Sequence, residues 1–185
     1  MTQHNICLSG SGGQGLILGG ALLAHAAVID KKNVTMTSSY GPEARGGASR
    51  SNLIISDKPI DFPIPEKMDV VLAMNQESCD KFVPELKDDG ILIVDSTLVM
   101  HPPPIKHYTI PFTELATKAG VVVIANVIAL GSIIALTDIV RPVSLKEALK
   151  ERMRDNLLPI NEKALKIGLR EGTKLKKDID EYYTY

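Results

Sequence analysis

Residues 5–28 read NICLSGSGGQGLILGGALLAHAAV. A short apolar run, Ile6 to Leu8, leads into GSGGQG, and an uncharged helical stretch follows from Gly15 to Ile29. Four glycines in six residues are costly in any ordered element. They mark a backbone driven to positive φ or approached closely by something else. Gly10, Gly12 and Gly15 satisfy G-x-G-x-x-G in the context that motif requires, directly after a strand and opening a helix. Backbone N–H groups and the positive end of the helix then converge on one place, and a phosphate or pyrophosphate is its natural occupant. The alternative is that the glycines only let helix and strand pack closely.

Working outward, further apolar runs follow at residues 34–39 (VTMTSS), 51–56 (SNLIIS), 69–74 (DVVLAM) and 90–96 (GILIVDS), with a further strand expected at 107–110 after the rigid HPPP connector. They read as strands buried on both faces and separated by helical or turn-rich segments. Aromatic residues make up 4% of the chain against 44% hydrophobic residues in total, so Val, Ile, Leu, Ala and Met build the core. That palette suits a parallel sheet covered by helices. The expected fold is a single α/β domain over residues 1–185, a doubly wound, mostly parallel, Rossmann-like sheet with helices on both faces.

Residues 121–136, VVVIANVIALGSIIAL, carry no charge yet fall short of the roughly 20 apolar residues of a membrane span. They read as a strand end running into a helix that is apolar nearly all round. Such a helix is covered either by another chain or, as an ordinary central helix, by its own. The helix after Arg141 has Ser144 as its expected N-cap, with Glu147 completing a capping box. In the last helix Leu157, Ile160, Ala164, Leu165, Ile167 and Leu169 are the apolar positions, and the charged remainder reads as a solvated face.

The charge balance limits the ligands. With 21 basic and 22 acidic side chains the net charge is −1, so no global field recruits nucleic acid or an anionic membrane, and an anion site must be local. The first residues lack the basic and apolar regions of a signal peptide, which points to the cytoplasm. Cys7 and Cys79 have no paired spacing and read as buried small hydrophobes. Two thiols cannot supply the four that an iron–sulfur cluster takes.

The glycine loop lacks the Lys and Ser/Thr of a P-loop, since Leu16 and Ile17 stand there. The second strand ends in Thr and Ser where a nicotinamide site carries an acid. Gln14 can donate its amide to a phosphate or to the adjacent loop. A second glycine-flanked segment, SSYGPEARGGASRSN at 38–52, is expected beside the first at the carboxyl edge of the sheet. Within it Arg45 either clamps a phosphate or carboxylate or pairs with Glu43, whereas Arg50 reads as surface. Asn75, after the run at 69–74, either touches a bound nucleotide or caps the following helix. No nucleophile has a histidine nearby, Ser9 occupies the position where a G-x-S-x-G elbow needs glycine, and His4, His25, His101 and His107 form no metal spacing. No catalytic constellation and no metal site are expected.

GSGGQG, SYGPEARGGAS, DVVLAMNQES and ANVIALGSIIAL, in that order, resemble the gamma subunit of the 2-oxoacid:ferredoxin oxidoreductases. The resemblance spans nearly the whole chain, and GPEARGGAS is nearer to members acting on 2-oxoglutarate than to those acting on pyruvate. It implies a subunit of a complex that oxidatively decarboxylates a 2-oxoacid with coenzyme A, giving acyl-CoA, CO₂ and reduced ferredoxin. Thiamine diphosphate, its Mg and the iron–sulfur clusters are then expected in partner subunits, alpha and beta with a delta subunit left open, with coenzyme A as co-substrate and ferredoxin reached through the complex. By resemblance, Gly10, Gly12, Gly13, Gln14 and Gly15 match one coenzyme-facing loop, and Ser39, Tyr40, Gly41, Glu43, Arg45, Gly46 and Gly47 match the other. The isolated chain is expected to be open to homodimerisation through its apolar helix. Two other readings stay open: a free-standing dinucleotide-binding reductase or sensor, and a purely structural subunit.

Overall fold

The computed structural model describes residues 3–39 and 48–182. Six strands, β1 (Gln3–Ser11), β2 (Asn33–Ser39), β3 (Ala48–Ser56), β4 (Met68–Ala73), β5 (Leu86–Asp95) and β6 (His107–Ile110), form one sheet in the order β2-β3-β1-β4-β5-β6. The pairings β1·β4, β4·β5 and β5·β6 are parallel, whereas β3 runs antiparallel to both β1 and β2. The sheet is therefore mixed, with β3 the single reversed strand. The α/β class and helices on both faces are as expected.

The apolar runs of β1, β3, β4 and β5 become strands because they bury side chains into two separate cores, whereas β2, expected to be buried on both faces, is an edge strand with no fully buried residue. Ile6, Leu8, Leu53, Ile55, Val70, Leu72, Ile93 and Ile110 face the larger core. It is completed by α1 (Leu16–Ile29), α3 (Phe112–Lys118), α4 (Ala125–Thr137), α5 (Pro142–Arg152) and α6 (Leu158–Tyr182). Cys7, Val71, Ala73, Leu92 and Val94 face the smaller core under α2 (Gln76–Phe82). Each fully buried Leu or Ile contributes about 1.5–3 kcal/mol relative to exposure.

The structure corrects several expectations and decides another. Residues 122–124 form a 3-10 turn and not a strand end. The apolar helix α4 needs no second chain, because α6 packs along it and every residue from Ala125 to Ile134 is buried. The two helices approach closely at three glycines: a Cβ on Gly131 would meet the carbonyl of Leu165 at 2.8 Å, and one on Gly172 would meet that of Ser132 at 2.6 Å. Gly168 is the third, and it accepts a hydrogen bond from Ser132 Oγ at 3.0 Å. Ser144 is not an N-cap. Arg141 holds that position with Pro142 beginning the helix, and Ser144 Oγ donates to Asp30. Leu157 precedes α6 and is 44% exposed, whereas Ala164 and Leu165 are buried as expected. No helix among the described residues is long and apolar enough to cross a membrane.

Candidate functional site at the glycine loop

The loop between β1 and α1 is held by its own side chains. Gln14 Oε1 accepts the N–H of Ser11 at 2.7 Å, and Gln14 Nε2 donates to the carbonyl of Met74 at 3.1 Å. Of the two roles open to Gln14, the structure shows the second, a tie to the adjacent strand end. Asn75 joins the same network: its Oδ1 accepts from Ser78 N at 2.9 Å, capping α2, while its Nδ2 donates to Ser11 Oγ. Ser49 Oγ donates to the carbonyl of Gly10 at 3.3 Å from the other side.

The four glycines divide into two kinds. A Cβ on Gly10 would lie 2.3 Å from Gln14 Oε1 and 2.9 Å from Met74 Cβ, and one on Gly15 would lie 2.5 Å from Asn126 Nδ2. These two are packing glycines. A Cβ on Gly12 or Gly13 would meet nothing within 4 Å, and both residues are exposed. Gly13 and Gly15 have φ of 95° and 73°, a conformation that disfavours other residues. Thus the base of the loop is packed and its crest is open. The first-turn N–H groups of α1 have no partner within the helix, and no acidic side chain stands in that turn to oppose an anion.

Gly10, Gly12, Gly13, Gln14, Gly15 and Asn75 are therefore brought together. Ser39 is exposed at the end of β2, opposite Arg50 of β3, which is itself opposite Ser9. That places Ser39 two strands away from β1. Tyr40, Gly41, Glu43, Arg45, Gly46 and Gly47 lie outside the described residues. The residue after them, Ala48, pairs with Ser11, so the second segment does end beside the glycine loop. It gets there through the reversed strand β3, not because β2 adjoins β1.

Arg50 corrects another expectation. It is half-buried, places Nη1 2.7 Å and 2.8 Å from the two carboxylate oxygens of Glu85, and lies 4.9 Å from the Phe82 ring. It fastens β3 to the α2 side of the sheet. Sequence reasoning also missed Asn126. The signal was present as the one amide in the uncharged run 121–136. Both thiols are buried, which pushes Cys7 up to about 12 and Cys79 to about 11, so neither is poised as a nucleophile. An open groove of about 540 Å³ lined by Lys67, Lys87, Asp88, Asp89 and Lys106 lies where β4 and β5 begin, at the opposite edge of the sheet. The open crest leaves room for a ligand beside the N-terminus of α1.

Residues 5–171 match the family described as pyruvate ferredoxin/flavodoxin oxidoreductase. The chain is 38% identical over 183 residues to the 2-oxoglutarate synthase subunit KorC of Methanocaldococcus jannaschii, covering 96% of each. The gamma subunit of a keto/oxoacid ferredoxin oxidoreductase from Geobacter sulfurreducens superimposes with a TM-score of 0.84 at 39% identity, over 93% of this chain and 97% of that one. The fold alone recurs in 2-oxoglutarate:ferredoxin oxidoreductase from Magnetococcus marinus, with a TM-score of 0.87 at 22% identity, where it matches 32% of the longer chain. The chain belongs to the pyruvate ferredoxin/flavodoxin oxidoreductase family and is a gamma-type subunit of a 2-oxoacid:ferredoxin oxidoreductase.

Proposed function

We propose that this chain is a non-catalytic positioning subunit of a cytoplasmic 2-oxoglutarate:ferredoxin oxidoreductase, and that its glycine loop helps hold the phosphates of coenzyme A. The observation that carries the reading is the open crest at Gly12 and Gly13, set on the N-terminus of α1 with no acid in its first turn. The KorC relative supports 2-oxoglutarate as the oxoacid. The Magnetococcus marinus enzyme, whose structure holds 2-oxoglutarate, coenzyme A and succinyl-CoA, uses the same fold.

In this reading thiamine diphosphate, Mg and the iron–sulfur clusters belong to partner subunits of the alpha and beta type. The complex transfers the acyl group left after decarboxylation to the thiol of coenzyme A, and two electrons pass to ferredoxin. This chain contributes the anchor. Fixing the phosphate end lets the thiol meet the acyl group as a local partner and not as a free solute. Gly12, Gly13 and the α1 amides would receive phosphate oxygens. By resemblance, Arg45 of the second glycine-flanked segment would supply a cation for the same phosphates.

The test is steady-state kinetics of the assembled complex carrying Gly12→Asp or Arg45→Ala. Each should raise the KM for coenzyme A roughly tenfold, the equivalent of about 1.4 kcal/mol, and leave the KM for 2-oxoglutarate unchanged. An unchanged KM for coenzyme A in both variants would overturn the reading in favour of a purely structural subunit. Tight binding of NAD by the isolated chain would instead make it a free-standing dinucleotide-binding domain.

A further inference from the structure

Helix α1 is apolar on every side. Between Leu16 and Ile29 its only polar side chain is His25. Leu16, Leu22, Leu23, Ala26 and Ala27 are buried, yet Val28 is 55% exposed and Ile17, Ala21 and Ala24 are only half-covered. Ile17, Ala21, Ala24 and Val28 fall at i, i+4, i+7 and i+11, in one line along the helix. Gly20, one turn from Ala24 and beside this line, lies over both β2 and β3, where a Cβ would meet Met36 at 2.8 Å and Ser51 at 2.9 Å.

β2 is the outermost strand of the sheet. Its seven residues, NVTMTSS, carry no charge and no proline, and they pair with β3 without a bulge. These are the devices by which an edge strand is normally protected, and β2 has none of them. Residues 34–38, VTMTS, are nearly symmetric about Met36. An antiparallel copy centred on Met36 sets Thr35 against Thr37 of the second copy, a favourable cross-strand pair, and brings no like charges together.

The helices fit the same arrangement. α1 rests about equally on β2 and β3. Across a β2–β2 seam its axis would lie two strand spacings, about 10 Å, from that of its copy. Packed helices sit 8–10 Å apart, and the small side chains of Ala21 and Ala24 suit that approach.

We propose that this face is the seam of a twofold homodimer: β2 pairs antiparallel with β2 of a second copy, making one twelve-stranded sheet, and α1 packs along the second copy's α1. The surface expected from sequence, the helix in 121–136, is buried within the chain, and α1 takes its place. Because the two α1 helices run antiparallel, the glycine loops lie at opposite ends of the seam and both crests stay open.

Sedimentation of the full chain over a concentration series tests this, with circular dichroism as the folding control. The expected result is a species of twice the chain's 20.1 kDa. Val28→Glu, on an exposed position, should weaken the dimer at least tenfold without changing the spectrum. Thr35→Lys with Thr37→Lys should do the same, whereas Thr35→Glu with Thr37→Lys should keep the dimer and make it salt-sensitive, because residue 35 then faces an opposite charge. A monomeric wild type overturns the proposal, as does a dimer indifferent to Val28→Glu, or equal behaviour of the two double variants. Loss of the other subunits from the Val28→Glu complex, with a monomeric wild type, would assign the face to a different polypeptide.

Discussion

The side-chain amide of Asn126 donates to the carbonyl of Gly15 at 2.9 Å, so the first turn of α4 holds the residue on which the glycine loop turns into α1. Asn126 is 4% exposed and Gly15 has φ of 73°. A methyl group at Gly15 faces both a disfavoured backbone and the amide that ties it down. Gly15→Ala should cost about 1–3 kcal/mol, and Asn126→Ala about 1–2 kcal/mol for a lost buried hydrogen bond. Combined, they should cost less than their sum by about 0.5 kcal/mol or more, since removing the amide relieves the clash. A double-mutant cycle by urea denaturation checks this, and strict additivity would mean that the contact is not the source of the strain.

The α4–α6 crossing gives a second, steeper prediction. A Cβ on Gly168 would sit 2.0 Å from the carbonyl oxygen of Ile128, a backbone atom that cannot swing away. Gly168→Ala must therefore push the two helices apart and open the larger core. The loss should exceed about 3 kcal/mol, in the range of severe core defects. Gly12→Ala, with open space around it, should stay within about 0.5 kcal/mol of wild type. Thermal melts of the two variants side by side measure the contrast, and equal melting temperatures would refute it.

Much of the strand framework was legible in the sequence because short Val/Ile/Leu runs bounded by turn residues have one reading in an α/β domain. The expected run at 107–110 coincides with β6, and those at 34–39 and 69–74 lie within a residue of β2 and β4. What the sequence could not show was the direction of β3. Strands buried on both faces look alike whichever way they run, so a hairpin between β2 and β3 and a crossover between parallel strands share one pattern. Arg50 was misread for a related reason: Glu85 and Phe82 reach it only through the sheet order. The glycine loop was visible as a motif, but the separation of packing glycines Gly10 and Gly15 from open Gly12 and Gly13 depends on Met74 and Asn126, both distant in the chain.

The buried thiols yield a prediction in pH. Burial raises Cys7 from 9.0 to about 12 and Cys79 to about 11. A raised folded-state value keeps the neutral thiol in the native protein while the unfolded chain ionises from about 9. The associated stability is whole below pH 9 and is lost as pH rises toward 11 and 12. Native protein at neutral pH should leave a thiol reagent unreacted, and both cysteines should label on unfolding in urea. Rapid labelling of folded protein would show that one of the two sites opens without global unfolding.

The N-terminus of α5 is secured from outside the helix. Asp30, at the end of α1, accepts the N–H of Arg141 and its Nε, each at 2.7 Å, and the hydroxyl of Ser144. Burial acts to raise the carboxyl, but these donors outweigh it and the net shift is below the ordinary 3.8. Asp30→Ala strands three donors at once, including a backbone N–H at the helix start, and should cost about 1–3 kcal/mol at neutral pH. A lowered folded-state value contributes stability that is present above 3.8 and lost as pH falls through the native value. The gap between wild type and Asp30→Ala should therefore be constant near neutrality and narrow in strongly acidic solution. Urea midpoints of both proteins across that range decide the matter. A gap that stays constant into acid would show that packing, and not the charge on Asp30, holds α5 in place.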